Sequence, residues 1–154
     1  MKDQKYKIGN LFDISYGERV IHDKSHLKEG KNIVISSGGE NNGLYGFYNK
    51  NPHFLETVIT IPSTGSVGKA FVQHLNCSID DNCLVLKPKD NMKKFLTIPN
   101  LYYVCAILRN ESWRFQYGRQ VTDARISKII IDFSNYDVSR INRIYDLQKK
   151  YLFN

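Results

Sequence analysis

The sequence predicts one α+β domain, rich in strands around a twisted mixed sheet, with a few helices and an amphipathic helix closing the chain. Three observations carry that expectation. Short β-branched runs at 32–36 and 57–61 and an apolar run at 82–87 are separated by clusters of Gly, Pro, Ser and Asn, the residues that punctuate strands. A long helical period occurs only once in mid-chain, after Pro99, where Leu101, Val104, Cys105 and Leu108 share a face. A second period ends the chain, with Val138, Ile141, Ile144, Tyr145 and Leu152 opposite Arg140, Arg143, Lys149 and Lys150.

Taken in order, residues 6–14 form a short opening turn or helix feeding a strand, which Tyr16 and Gly17 close. Residues 18–30 are polar and read as a loop ended by Gly30. The strand at 32–36 (Asn-Ile-Val-Ile-Ser) runs into Ser37-Gly38-Gly39-Glu40-Asn41-Asn42-Gly43, which is nearly pure turn chemistry. Asn and Gly tolerate positive φ, and Asn42-Gly43 is a strong hairpin signal, so 44–48 returns as a strand. The strand at 57–61 breaks at Pro62 and at Ser63-Thr64-Gly65-Ser66, and 67–73 resumes extended structure. The strand at 82–87 stops at Pro88. Trp113 lies beyond the central helix, 114–125 is a polar, basic loop, and 127–131 (Ser-Lys-Ile-Ile-Ile) is a strand. The closing helix begins at Asp137. No internal repeat or low-complexity linker interrupts the chain.

The 154 residues suffice for one domain with a real core, and 42% hydrophobic with 24% charged residues excludes a disordered chain. No apolar run approaches the length of a membrane span, and no apolar stretch follows Met1-Lys2-Asp3-Gln4-Lys5 as a signal peptide requires. Cys77, Cys83 and Cys105 are an odd set without framework spacing, which implies free thiols in a reducing cytoplasm. Lys and Arg number 22 against 15 acids, a net charge of +7 that favours polyanionic partners. Many of the 10 tyrosines sit beside Gly, Asn or Arg in expected loops.

The catalytic motifs fail one by one. Ser63-Thr64-Gly65-Ser66-Val67-Gly68-Lys69 has Ser where a phosphate-binding P-loop needs its first Gly, Ala70 where it needs Ser or Thr, and a strand where it needs a helix. Glu29-Gly30-Lys31 resembles the end of a nuclease motif but has no Asp-bearing strand beside it. His74, Cys77 and Cys83 lack a paired C-x-x-C knuckle for zinc. Asp80 and Asp81 are adjacent and would face opposite ways along a strand, so they read as turn residues. His22, His26 and His53 read as surface histidines. No Ser/His/Asp or Cys/His set, no Asn-Pro-Pro-Tyr element and no glycine-rich cofactor loop occurs. The expectation is a protein without catalytic residues, metal or cofactor.

Three polar loops are different in kind: 36–45, 63–66 and 117–125. Each combines small residues, hydroxyls, amides or charged groups that suit DNA. Asn and Gln can read adenine, Arg can read guanine, and free backbone N–H groups suit phosphate. Ordinary hairpin tips would share part of this composition.

Four segments in order resemble the target recognition domain of type I restriction–modification specificity subunits, and of related fused type IIG/IIB enzymes. They are residues 8–14 with Tyr16-Gly17; residues 34–46 (Val-Ile-Ser-Ser-Gly-Gly-Glu-Asn-Asn-Gly-Leu-Tyr-Gly); residues 58–61 with Gly65-Ser66-Val67-Gly68 and 83–88; and Phe115-Gln116-Tyr117-Gly118-Arg119 leading through Arg125-Ile126 to 129–131. The resemblance implies a domain at 1–136 that grips one part of a bipartite duplex target, and the start of a spacer or dimerisation helix at 137–154. It implies double-stranded DNA and an adenine methyltransferase or endonuclease as partners. The apolar stripe of the last helix either packs on its own domain or pairs with a second copy of the chain or with the methyltransferase. The Pro-rich exit usual in the family is replaced by Asp132-Phe133, and one recognition domain stands where a full subunit has two. The chain is thus expected to be a half-sized subunit that pairs with itself, or one domain of a longer protein.

On this reading the DNA-binding residues are Tyr16, Ser37, Asn41, Asn42, Tyr45, Ser63, Thr64, Ser66, Lys69, Tyr117, Arg119, Gln120, Thr122 and Arg125. Asn41, Asn42, Arg119, Gln120 and Arg125 lie near base edges, and Tyr16, Tyr45 and Tyr117 pack on sugars or bases. Two rivals stay open: a protein-interaction module that occupies a methyltransferase or regulatory partner without touching DNA, and an enzyme whose site is too dispersed to see.

Overall fold

The strand at 83–88 is apolar at every position to Leu86 (Cys-Leu-Val-Leu), which a sheet tolerates only where both of its faces are covered. A computed structural model, which describes residues 4–22, 24–115, 120–134 and 136–152, bears this out. The elements run β1 (Lys5–Lys7), α1 (Ile8–Leu11), β2 (Phe12–Tyr16), β3 (Glu29–Ile35), β4 (Leu44–Tyr48), β5 (Val58–Pro62), β6 (Phe71–Gln73), β7 (Cys77–Ile79), β8 (Cys83–Pro88), α2 (Ile98–Asn110), α3 (Asp123–Ile126), β9 (Ile130–Asp132) and α4 (Val138–Leu152). Single 3-10 turns at Lys24–His26, Asn41–Gly43, Asp90–Met92 and Ser112–Phe115 join them.

The α+β class holds, with the strands divided among three sheets. Strands β2, β8, β5 and β6 form an antiparallel sheet in that order, and β4, β3 and β7 form a mixed one in which β3 and β7 are parallel. The pair β1–β9 stands alone. Side chains of β5 and β8 alternate between two cores. Ile59, Ile61, Leu84 and Leu86 join Leu101, Val104, Cys105 and Leu108 of α2. Val58, Cys83 and Val85 face the other way, against Ile35, Cys77 and Ile79 of the mixed sheet. The four-stranded sheet is the middle of three layers, α2 above and the mixed sheet below. All four residues assigned to the apolar face of α2 are buried as expected.

Several boundaries differ from the sequence expectation. Positive φ at Gly65 and Gly68 turns the chain through 65–68, so the extended stretch expected from 67 shrinks to β6. The strand expected at 127–131 starts at Ile130, because Ile129 N–H closes onto Ile126 C=O behind α3, itself a turn of helix inside the expected 114–125 loop. β1 and β7 were not expected. β1 is charged at both ends, and its one apolar residue, Tyr6, pairs with Ile131 and rests among Phe95 and Phe133. His53 is not a surface histidine: its Nε2 accepts from Ile79 N–H at 3.3 Å, its ring lies on Phe54, and burial holds its pKa below the ordinary value. Asp80 lies in the turn between β7 and β8, as expected, but is drawn inside. It is 2% exposed, and its Oδ1 accepts from Val20 N–H and Ile21 N–H, both at 2.9 Å.

Two variants test that turn. Asp80→Ala strands two backbone donors and should cost about 2–4 kcal/mol in urea unfolding. Gly17→Ala would put a Cβ 2.3 Å from Asp80 O and 2.4 Å from Ile79 O. Both are backbone atoms that cannot step aside, so a loss of about 2 kcal/mol or more is expected.

Candidate nucleic-acid interface

The C-terminal end of β5 and the start of β8 meet at the Asp80–Asn82 turn, and the polar loops fan out from it. Asn82 C=O accepts from Ser63 N–H at 2.9 Å and from Ser63 Oγ at 2.8 Å, and its side chain pairs with Ser36 Oγ at 3.1 Å. Gly17 N–H donates to Cys83 C=O at 3.0 Å. Tyr16, opposite Leu84 on the neighbouring strand, is therefore held at this same end of the sheet, with its ring about half exposed.

The 36–43 loop is shaped by three successive residues in the left-handed region, Asn41 (φ 47°), Asn42 (φ 57°) and Gly43 (φ 74°). Ser36 N–H donates to Gly43 C=O and closes it. Asn42 Nδ2 donates to Val72 C=O at 3.1 Å and to Gln73 Oε1 at 3.0 Å, so its amide fastens the loop to β6. Asn41 is exposed.

The 63–69 loop lies directly against it. Ser66 N–H donates to Ser37 C=O at 3.4 Å, and Lys69 Nζ to Gly39 C=O at 3.2 Å. Gly39 has no side chain because Ser66 occupies the space: a Cβ there would fall 2.3 Å from Ser66 Oγ. Thr64 is exposed, whereas Ser63 is buried and its hydroxyl is used on Asn82.

Beyond Lys69 the surface continues onto the end of α2. A groove of about 290 Å³ runs between Gly39, Lys69, Phe71, Arg109 and Ser112. Arg109 Nε donates to Ala70 C=O at 2.8 Å, and the guanidinium lies 4.9 Å over the Phe71 ring. Two residues past Ser112, Arg114 (ion-paired with Glu111) lines a second hollow of about 340 Å³ with Phe115, Arg125, Lys128 and Ile129. Arg125 Nη1 donates to Gln120 C=O at 3.1 Å, and Thr122 takes the N-cap position of α3.

The structure thus brings Ser37, Asn41, Asn42, Ser63, Thr64, Ser66 and Lys69 onto one pair of loops, with Tyr16 at the same sheet end. Gln120, Thr122 and Arg125 form a second group, joined to the first through the Ser112–Phe115 turn. Tyr45, on β4 directly after the 36–43 loop, is stacked on Tyr48 with ring centroids 5.8 Å apart. Tyr117 and Arg119 lie outside the described residues. The sequence reading missed Ser112, Arg109, Arg114 and Lys128. The signal was present in the spacing, since five cations between positions 109 and 128 (Arg109, Arg114, Arg119, Arg125, Lys128) outnumber Glu111 and Asp123.

The cysteines take no part in this face. All three are buried and free, and burial pushes the thiols up to about 11 for Cys77 and about 12 for Cys83 and Cys105. Among the described residues no helix is long and apolar enough to cross a membrane.

A family model described as the type I restriction modification DNA specificity domain matches residues 2–138. The chain is similar to the S subunit of a type I restriction-modification system from M. genitalium, with TM-score 0.74 and 21% identity over 96% of this chain and 40% of that one. It is similar also to a chain from a structure of the type I R-M system concerned with complex assembly and conformational transition, with TM-score 0.59 and 15% identity over 96% and 37%. The HsdS subunit from Thermoanaerobacter tengcongensis gives TM-score 0.57 and 16% identity over 96% and 39%. At these identities the likeness is one of fold, and the chain spans about two fifths of the length of each of these structures. No curated protein matches it.

The contact between the two loops is open to test. Gly39→Ala should destabilise the protein by about 1–3 kcal/mol through the clash with Ser66. Adding Ser66→Gly should recover most of that loss, a coupling that unfolding of both single variants and the double variant measures.

Proposed function

The chain belongs to the family of type I restriction modification DNA specificity domains, and from that membership we propose that it reads a short double-stranded DNA sequence for a restriction–modification system. A partner adenine methyltransferase or endonuclease subunit would carry the chemistry. The observation that carries this reading is the continuity of one face, in which two interlocked polar loops run into a margin bearing Lys69, Arg109, Arg114, Arg125 and Lys128. Phosphate contacts position a protein on a duplex and base-edge contacts specify the sequence. The margin supplies the first kind. The exposed Asn41 and Thr64 of the loops, with Tyr16 at the end of β2, supply the second, and Gln120 and Arg125 extend it from the far side; Tyr117 and Arg119 are assigned the same role.

The basic character of this face favours DNA over the rival reading of a module that binds only protein, which would present an acidic or apolar surface there. Partnership with a second copy of the chain is proposed through α4, whose Ile144 and Leu147 are each nearly half exposed. A cytoplasmic setting accords with three buried, unpaired thiols.

Selection of bound sequences from a random duplex pool, followed by mobility shifts across a salt series, tests the reading. Affinity should fall with salt at a slope of about −0.9 per phosphate neutralised. Lys69→Ala and Lys128→Ala should each reduce that slope by about 1 and leave the order of sequence preference unchanged. Absence of any binding to duplex at low salt, or binding indifferent to salt, would overturn it.

A further inference from the structure

The adjacent asparagines of the 36–43 loop are in opposite situations. Asn42 has both its amide hydrogens engaged, on Val72 C=O and Gln73 Oε1. Gln73 answers through Nε2, which donates to Asn42 C=O and to Thr60 Oγ1, both at 2.9 Å. Gln73 is 5% exposed and Thr60 1% exposed, so this is a buried network with every amide group of Gln73 in use. Asn41 has none of this. Both asparagines are exposed and at positive φ, so the contrast lies in their partners: the Asn41 carboxamide has no hydrogen-bond partner among the described residues, and its backbone holds φ 47°. A non-glycine residue in the left-handed region is uncommon, and glycine would take that conformation without strain. The strained backbone is held in place by the clamp one residue further on.

We infer that Asn41 is a specificity-determining residue that reads an adenine, and that Gln73, with Thr60 behind it, is the positioning residue that fixes its direction. The inference rests on the DNA-reading function proposed above and names the group that performs it. A carboxamide offers one donor and one acceptor side by side, the complement of adenine N7 and N6–H₂ in the major groove. Such a pair discriminates only if its direction is fixed, since a mobile amide meets other edges equally well. The clamp holds the backbone that presents the Asn41 amide, from beneath, on a buried strand, without using any group of Asn41 itself, and bound adenine completes the fixing of the amide. Nothing about Gln73 in the sequence marks it for this task, because it lies at the end of a short strand 31 residues from its partner.

The test compares binding of the whole chain to three kinds of probe: a duplex carrying the selected sequence, a set in which each A·T pair is replaced in turn by G·C, and random duplex. Asn41→Gly keeps the backbone conformation and deletes the amide. It should lose about 5- to 150-fold discrimination at one A·T position, the value of one bidentate pair, and keep its preferences at the other positions. Gln73→Leu should lose discrimination at that same position while remaining folded by circular dichroism. Thr60→Ser, which keeps the hydroxyl, should preserve it, and Thr60→Val should weaken it. Should Gln73→Leu fail to fold, the Thr60 pair and Asn41→Gly decide the matter alone. Full discrimination retained at every position by Asn41→Gly overturns the assignment of Asn41. Equal behaviour of Thr60→Ser and Thr60→Val, or a folded Gln73→Leu that discriminates normally, overturns the role of the clamp. An unmodified chain that binds every probe equally overturns the underlying reading itself, and is told apart because no variant is needed to see it.

Discussion

The three residues from Asp80 to Asn82 form the joint on which the functional face depends. A buried carboxylate tolerates its position only when donors surround it, and Asp80 finds them in the backbone N–H groups of Val20 and Ile21. Its own N–H donates to Ile35 C=O, and its C=O accepts from Cys83 N–H. Asn82 then takes both the N–H and the hydroxyl of Ser63, and shares its side chain with Ser36. Three segments far apart in sequence, near positions 20, 36 and 63, are fixed by one turn. Hydrogen bonds of this kind contribute modestly each, but leaving any buried member unpaired costs more than the bond itself is worth. The arrangement is therefore held cooperatively, and the loops leave the sheet in defined directions.

This joint sorts the polar residues of the loops into two populations. Ser36, Asn42, Ser63, Gln73 and Asn82 spend their side-chain polar groups on hydrogen bonds within the protein, although Asn42 is exposed. Asn41, Thr64 and Lys69 are exposed, and only Lys69 among them has an internal partner. Loop composition alone cannot separate the two sets, because the same hydroxyls and amides serve both. A count of Asn, Ser and Thr in 36–45 and 63–66 overstates how many of them are available to a ligand. The distinction arises only when strand β6 is placed beside the 36–43 loop, a contact between residues about 30 positions apart.

Much of the fold was legible because its signals are local. The helical period of α2 placed four buried residues correctly, the apolar and β-branched runs located β3, β5 and β8, the Asn42-Gly43 turn signal located β4, and Asp80-Asp81 was read as a turn. What escaped depends on pairing across distance. Lys5–Lys7 has no strand signal of its own and becomes β1 because Ile130–Asp132 lies beside it. Cys77–Ile79 is three residues long and is a strand because β3 accepts it in parallel register. The candidate face was legible in outline through its loops. Its basic margin was legible only in part, at Lys69 and Arg125, because Arg109 belongs by period to a helix and Arg114 to the turn after it. The approach of Gly68 to Ser112 and the bond from Arg109 to Ala70 C=O bring that end of the helix to the loops.

The separation of inward and outward polar groups bears on how such a domain changes what it reads. A residue that touches nothing within the protein can be exchanged at little cost to stability, since surface changes away from caps, cores and networks usually alter it by less than about 0.5 kcal/mol. Thr64, exposed and with no side-chain hydrogen bond among the described residues, comes nearest to that condition, Asn41 meets it only for residues that accept its positive φ, and the Asp80–Asn82 joint with the Gln73 clamp does not meet it. A fold built this way can replace its outermost loop side chains while its loop backbone keeps its course. Its cores, by contrast, follow a pattern of alternate burial that many different apolar residues can fill. Both properties let two chains share this architecture at low sequence identity. They also put the information about the target into a few exposed side chains, and the information about the fold into buried ones.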